Sequence, residues 1–313
     1  MEGRHISLEP TQQIQTKVKV SGTPSHRTGT LFTAISAICY GATPILIKVQ
    51  FAYGQPTSST LSYRLFFSMI MIALLAVAGR FSLRVSRNDI VRFLYVGLAG
   101  AIGLLLLGAA LARLDIGRTT ALHYTSVMFV FLLSSYFLKI PLTKNRRTAV
   151  LLILLGIAVL AFSISAAEAY GFFLALLSGF FIAVYIVLVE NIKFETKHPY
   201  TLAFYLNASI LVYTLIYNVV LNYQRPINSA ASFWYLLLFT LLNPMLGLAA
   251  FRVGVKLLGA ARAGVKSTAE LMIAFILGVL LLGEPINVWI TLGVLFIMGS
   301  AVLANVQFFR RQD

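Results

Sequence analysis

Residues 118–142, RTTALHYTSVMFVFLLSSYFLKIPL, recur as residues 262–286, RAGVKSTAELMIAFILGVLLLGEPI, and the recurrence decides the architecture. At a constant offset of 144, Arg118 falls on Arg262, Thr125 on Ala269, Leu138 on Leu282 and Pro141 on Pro285. Further on, Gly156 and Ala161 fall on Gly299 and Ala304 at an offset of 143. Gly29, Ser36, Gly41 and Lys48 lie 142 residues before Gly171, Ser178, Ala183 and Glu190. Single matches among Leu, Ala and Gly arise by chance in an apolar chain, but a near-constant register across three separate segments does not. The chain is a duplicated unit.

Composition says what solvent that unit lives in. Of 313 residues, 59% are hydrophobic and 11% charged, against about 45–50% and about 25% in soluble domains. The mean hydropathy is +0.86. A water-soluble fold would leave large apolar patches exposed. Ten stretches fit the roughly 17–25 residues a helix needs to cross a bilayer, near 31–50, 58–78, 91–112, 117–138, 148–166, 169–190, 200–222, 233–253, 259–282 and 287–308. The runs are continuously apolar rather than alternating, which excludes a membrane β-barrel. The expected fold is an all-α integral membrane protein.

Basic residues set the expected orientation. With the N-terminus in the cytoplasm, inner loops carry Arg80, Arg84, Arg87 and Arg92, then Lys139, Lys144, Arg146 and Arg147, then Lys193 and Lys197, and the C-terminal tail carries Arg310 and Arg311. Outer connections 51–57, 167–168 and 283–286 contain no Lys or Arg. Both termini are expected inside, in a bacterial inner membrane. The expected organisation is a basic cytoplasmic tail over 1–28, a first five-helix repeat over 29–166, a second over 167–308 and a C-terminal tail over 309–313. Five is odd, so the two copies insert in opposite directions. Inverted repeats around a central cavity are the architecture of secondary transporters, with the substrate site near the midplane.

The net charge of +15 is mostly these cytoplasmic Lys and Arg residues, whose counter-charge is the anionic leaflet of the lipid bilayer; nucleic acid is not an expected partner. The single cysteine, Cys39, rules out a disulfide within the chain. Residues 1–28 lack the apolar core of a signal peptide and read as a retained polar tail. The oligomeric expectation is a monomer or a homodimer.

Two segments resemble the signatures of the EamA-like drug/metabolite transporter superfamily. YTSVMFVFLLSSYF (124–137) is similar to its first-half signature, and LGAARAGVKSTAELMIAFILGVLLLGEPI (258–286) to its second. Arg64, in SYRLFF, matches the arginine common early in the second helix. The resemblance spans about residues 29–305 and implies ten helices, inverted five-helix repeats and a central cavity for amino acids or other small metabolites. The family's prolines are replaced here by the equivalent Val127 and Leu271, so both helices are expected to be less kinked.

Ionisable groups deep in a bilayer cost at least about 2.5–3.5 kcal/mol each on insertion scales and need a reason. Glu270 falls near the midplane of the ninth helix, where it either binds a substrate amine, carries a coupling proton or pairs with Lys266 one turn earlier. Arg262, Lys266 and Glu270 form a stripe expected to line the inner half of the cavity. His123, with Thr119 and Ser126 on its face, is either a proton relay or a neutral hydrogen-bonded imidazole. Arg64 either receives a substrate carboxylate or snorkels outward. Tyr40, Thr43, Asn243 and Arg252 complete the candidate set.

Three function classes follow. A secondary transporter of a small-molecule substrate, most simply an exporter of an amino acid or similar zwitterion, accounts for the mixed charges and the repeat. A nucleotide-linked or phosphorylated solute is the alternative substrate. An embedded enzyme would need a metal cluster, a nucleophile–base pair or paired carboxylates, and none is visible in the sequence. A channel or sensor would need a filter-like sequence or a soluble domain. No Walker loop or other cofactor motif occurs, so no cofactor is expected.

Overall fold

A computed structural model describes residues 26–195 and 198–306. Most of the expected N-terminal tail, Lys197, and Arg310 and Arg311 in the C-terminal segment 309–313 lie outside the described residues. Every regular element among the described residues is helical. The first span is α1 (His26–Gly41) followed by α2 (Thr43–Ala52), the second α3 (Thr57–Ala78), the third α4 (Arg87–Leu111). The fourth is α5 (Ile116–His123) with α6 (Ser126–Phe137), and the fifth α7 (Lys144–Ala161). The second half is α8 (Ala169–Asn191), α9 (Pro199–Val220), then α10 (Ala230–Thr240) joined to α11 (Leu248–Leu258) by a π-helical stretch, Leu241–Gly247. It ends with α12 (Ala260–Ser267) and α13 (Ala269–Leu282) as one span and α14 (Val288–Val306) as the last. Seven of these ten spans are long and apolar enough to cross a membrane by length and composition, and α13 and α14 are shorter apolar helices. The remaining span, the fifth, is α7, which opens with Lys144, Arg146 and Arg147.

Local chemistry sets the ends. Ser86, Asp115, Thr143 and Ser229 each accept a hydrogen bond from a backbone amide three residues on, opening α4, α5, α7 and α10. Ser86 and Ser229 are equivalent at an offset of 143. Gly259, at a φ of +83°, separates α11 from α12 in a conformation that favours glycine.

Short connections reverse the chain at each span, so residues 26 and 306 lie at one end of the bundle, here the terminal end, and the second repeat starts from the far end. The packing has the matching symmetry. α4 lies against α8 as α11 lies against α1; α6 against α8 as α13 against α1; α3 pairs with α9 and α7 with α14 across the repeats. The same exchange relates hydrogen bonds. At the far end Ser59 Oγ donates to the Tyr223 carbonyl and Tyr63 Oη to that of Arg225, at 2.7 and 2.9 Å. At the terminal end Thr201 Oγ1 donates to the Ser82 carbonyl and Tyr205 Oη to that of Leu83, at 3.0 and 2.9 Å. Residues 59 and 63 plus 142 give 201 and 205, and 225 minus 142 gives 83. One fold is built twice, upside down.

Small residues let the helices approach. A Cβ at Gly97 or Gly103 of α4 would run into Ser209 of α9 or Ile182 of α8. The bundle exterior is apolar, with Val77 and Tyr136 each 79% exposed to what is lipid in the membrane.

Two spans break at equivalent places. In the fourth, the Thr125 amide bonds Leu122 rather than the residue four back, and Thr125 Oγ1 donates to the same carbonyl at 2.6 Å. In the ninth, the Leu271 amide bonds Thr268. Replacing the family's prolines by Val127 and Leu271 therefore does not leave these helices continuous. The interruption is carried by i→i−3 bonds that the amides of Val127 and Leu271 themselves make to Tyr124 and Thr268, and in the fourth span also by a threonine hydroxyl competing for the backbone carbonyl.

Candidate functional site

Where the breaks meet, the bundle encloses a cavity of about 480 Å³, within the range of sites for small organic ligands. Span one contributes Tyr40, Thr43 and Pro44 around its break at Ala42. Pro44 lacks an amide hydrogen, which leaves the Tyr40 carbonyl without its usual helical donor. Across the cavity, Asn243 from the π-helical stretch donates Nδ2 to Thr43 Oγ1 at 2.9 Å. The wide turn accommodates Pro244 in the chain and brings Asn243 onto the wall.

Charge enters from both repeats. Arg64 of α3 and Glu270 of α13 both line the cavity. Arg64 points inward, with its guanidinium carbon 4.9 Å from the Phe239 ring centroid. The snorkelling alternative is corrected by this position: α3 carries the side chain on the face that packs towards α10. Glu270 joins no ion pair among the described residues. The alternative of an intrahelical pair with Lys266 is likewise corrected. Thr268 separates the two residues onto different helices, and Lys266 Nζ bonds Thr30 Oγ1 at 2.5 Å instead.

His123, the last residue of α5, also lines the cavity, and its Nδ1 lies 2.9 Å from Ser178 Oγ. Ser178 has one hydroxyl hydrogen and directs it to the Ala175 carbonyl at 2.8 Å. With that hydrogen on the Ala175 carbonyl, Nδ1 donates and Nε2 of a neutral ring is an acceptor; in the other tautomer Nδ1 accepts from the Ser178 hydroxyl. Gly179 makes this crossing possible, since a Cβ there would stand 2.9 Å from the His123 carbonyl.

Six of the ten candidate residues thus share one cavity: Glu270, His123, Arg64, Tyr40, Thr43 and Asn243. Four do not line it. Thr119 Oγ1 is turned back to the Asp115 carbonyl, because a helical threonine reaches the carbonyl four residues earlier. Ser126 lies buried beyond the break at Thr125, which rotates it away from His123. Arg252 stacks over Tyr200 at 4.9 Å, near the terminal end. Lys266 is held at Thr30, so the stripe with Arg262 does not continue to Glu270. Arg118, which the repeat relates to Arg262, is buried at 7% exposure between Asp115 and Glu168.

The sequence reading passed over several wall residues. Tyr124 and Tyr185 bring hydroxyls; Asn207, which the sequence does show as a polar residue within the seventh helix, is tied through Nδ2 to Ser68 Oγ at 2.9 Å. Ser68 was visible one turn after Arg64 on the same face; Tyr185 had no such signal. At the far end, Lys48 Nζ pairs with Glu284 Oε1 at 2.7 Å, and Glu284 also accepts the Ile116 amide at 2.9 and 2.8 Å. A carboxylate therefore caps the positive N-terminus of α5 while joining the two repeats. The positions equivalent to Lys48 and Glu284 at the terminal end are Glu190 and Ile140, both exposed.

A ten-span helical bundle with inverted halves and, between them, a largely apolar cavity that holds a few polar and charged side chains defines a membrane transporter fold. Residues 27–162 and 169–306 each match the EamA-like transporter family, and the chain belongs to that family. A solved structure described only as "Crystal structure of protein" is similar over 92% of this chain and 100% of its own, with a TM-score of 0.62 at 14% identity, a likeness of fold. No curated protein matches the chain.

Proposed function

We propose that this protein is a secondary transporter that exports an amino acid or similar zwitterion from the cytoplasm by alternating access. The carrying observation is a single cavity with a guanidinium from one repeat and a carboxylate from the other, neither engaged in an ion pair among the described residues. A zwitterion satisfies both charges at once, and charge complementarity of this kind sets specificity. Glu270 receives the ammonium, and it or His123 carries a coupling proton. In this reading the terminal end faces the cytoplasm, and the inverted repeats exchange roles as the cavity opens to one side and then the other.

The test is uptake of radiolabelled amino acids into proteoliposomes. Saturable uptake that depends on a proton or solute gradient supports the proposal. Uptake confined to phosphorylated or nucleotide-linked solutes would overturn it in favour of the anionic alternative.

A further inference from the structure

Arg64 engages no carboxylate among the described residues. A guanidinium held in the membrane interior is stabilised when an anion with hydrogen-bond acceptors reaches it. Beside Arg64, towards the far end, lies a second cavity of about 40 Å³. It shares Thr43, Arg64, Leu104 and Leu107 with the main cavity and adds Thr60 and Phe239. Thr60 stands one turn before Arg64 on the same face of α3, is 1% exposed, and its Oγ1 has no hydrogen-bond partner among the described residues. Helical threonines elsewhere in the chain donate back to the carbonyl four residues earlier, as Thr33, Thr214 and Thr240 do. Thr60 does not.

We propose that this side pocket is the carboxylate subsite of the transported solute, with Thr60 as a specificity residue. The Arg64 fork grips the two carboxylate oxygens, and the Thr60 hydroxyl donates a further hydrogen bond to one of them. Of the other polar walls, Thr57 Oγ1 is turned to the Gly108 carbonyl at 3.3 Å and Thr43 Oγ1 accepts from Asn243, and the rest of the pocket is apolar. The space is of the order of one or two water molecules, which suits a flat carboxylate and not a tetrahedral phosphate with its hydration. This assignment rests on the zwitterion reading above and fixes which end of the solute points to the far side.

The experiment separates the two. Thermal unfolding of the purified full-length protein is followed with sodium acetate, and with acetamide and inorganic phosphate as controls, beside uptake of L-amino acids in proteoliposomes. Acetate is expected to stabilise the wild type while acetamide and phosphate do not. Thr60→Val should weaken acetate binding roughly tenfold or more, as befits a lost hydrogen bond to a charged group. Thr60→Ser should retain it, and Arg64→Lys should lose it because the planar fork is gone. Thr60→Ala replaces Thr60→Val if the latter fails to fold. The subsite is overturned if acetate gives no stabilisation, if acetamide equals acetate, or if Thr60→Val binds acetate and moves amino acids like the parent; the last result would mark the pocket as a water site. Acetate binding that behaves as expected with no amino acid transported would uphold the subsite and overturn the zwitterion reading alone.

Discussion

At the scale of single residues, position matters less than partnership. Lys266 and Glu270 are four apart in sequence yet belong to different helices, and each faces a different neighbour. Glu270→Gln should therefore fold in near-normal yield, since it removes a charge with no ion-pair partner among the described residues, while uptake falls about tenfold or more. Adding Lys266→Met should not restore transport; restoration would return the two residues to a structural pair. Outside the membrane the Glu168 carboxyl gives a pH signature. Burial pushes it up, but the amide and hydroxyl of Ser165 and the Arg118 guanidinium outweigh this and hold it below its ordinary value. A lowered carboxyl contributes stability that is present above the ordinary carboxylate range and is lost as pH falls through the lowered value. The acid limb of the melting temperature against pH should flatten in Glu168→Gln, and an unchanged limb would remove the residue from that account.

At the scale of elements, the paired hydroxyl contacts at opposite ends should behave alike. Ser59→Ala removes the bond to the Tyr223 carbonyl and the one accepted from the Arg225 amide, Thr201→Val the bond to the Ser82 carbonyl and the contact with His198 Nδ1, and each should destabilise by about 2 kcal/mol. Thermal unfolding of the two variants in the same detergent checks this, and a large difference between them would show that the pseudo-symmetry stops at geometry. The ten spans were readable because lipid demands long apolar runs whatever the tertiary structure. Interruptions within spans were less so. Proline is the obvious marker, and Pro44 and the Asn243–Pro244 pair did point to real irregularities. The breaks before Ser126 and at Thr268 carry no proline, and a threonine reads equally well as a helix interior. Those breaks decided the site. They turned Ser126 away and parted Lys266 from Glu270, while Arg64, His123 and Glu270 remained legible because a buried charge or imidazole needs a polar setting in any fold.

At the scale of the whole molecule, the two ends are related by symmetry but are not chemically equal. The far end is stapled by Lys48, Glu284 and the amide of Ile116, whereas Glu190 and Ile140 hold the equivalent places exposed at the terminal end. A transporter that exchanges two related states has its balance set by whatever stabilises one of them alone. On the alternating-access proposal the staple would favour closure of the far end, and Glu284→Gln should shift the balance towards far-side opening by weakening the ion pair and the cap together. The native cysteine, Cys39, is buried, so a Cys39→Ala background allows a reporter at Ser68→Cys on the cavity wall. With the termini in the cytoplasm, a membrane-impermeant thiol reagent added to intact cells should label that reporter several-fold faster once Glu284 is changed. Unchanged labelling would mean that the ion pair braces the loop after α13 without governing access. Faster labelling only in inside-out vesicles would mean that the far end faces the cytoplasm, reversing the orientation that the basic loops imply.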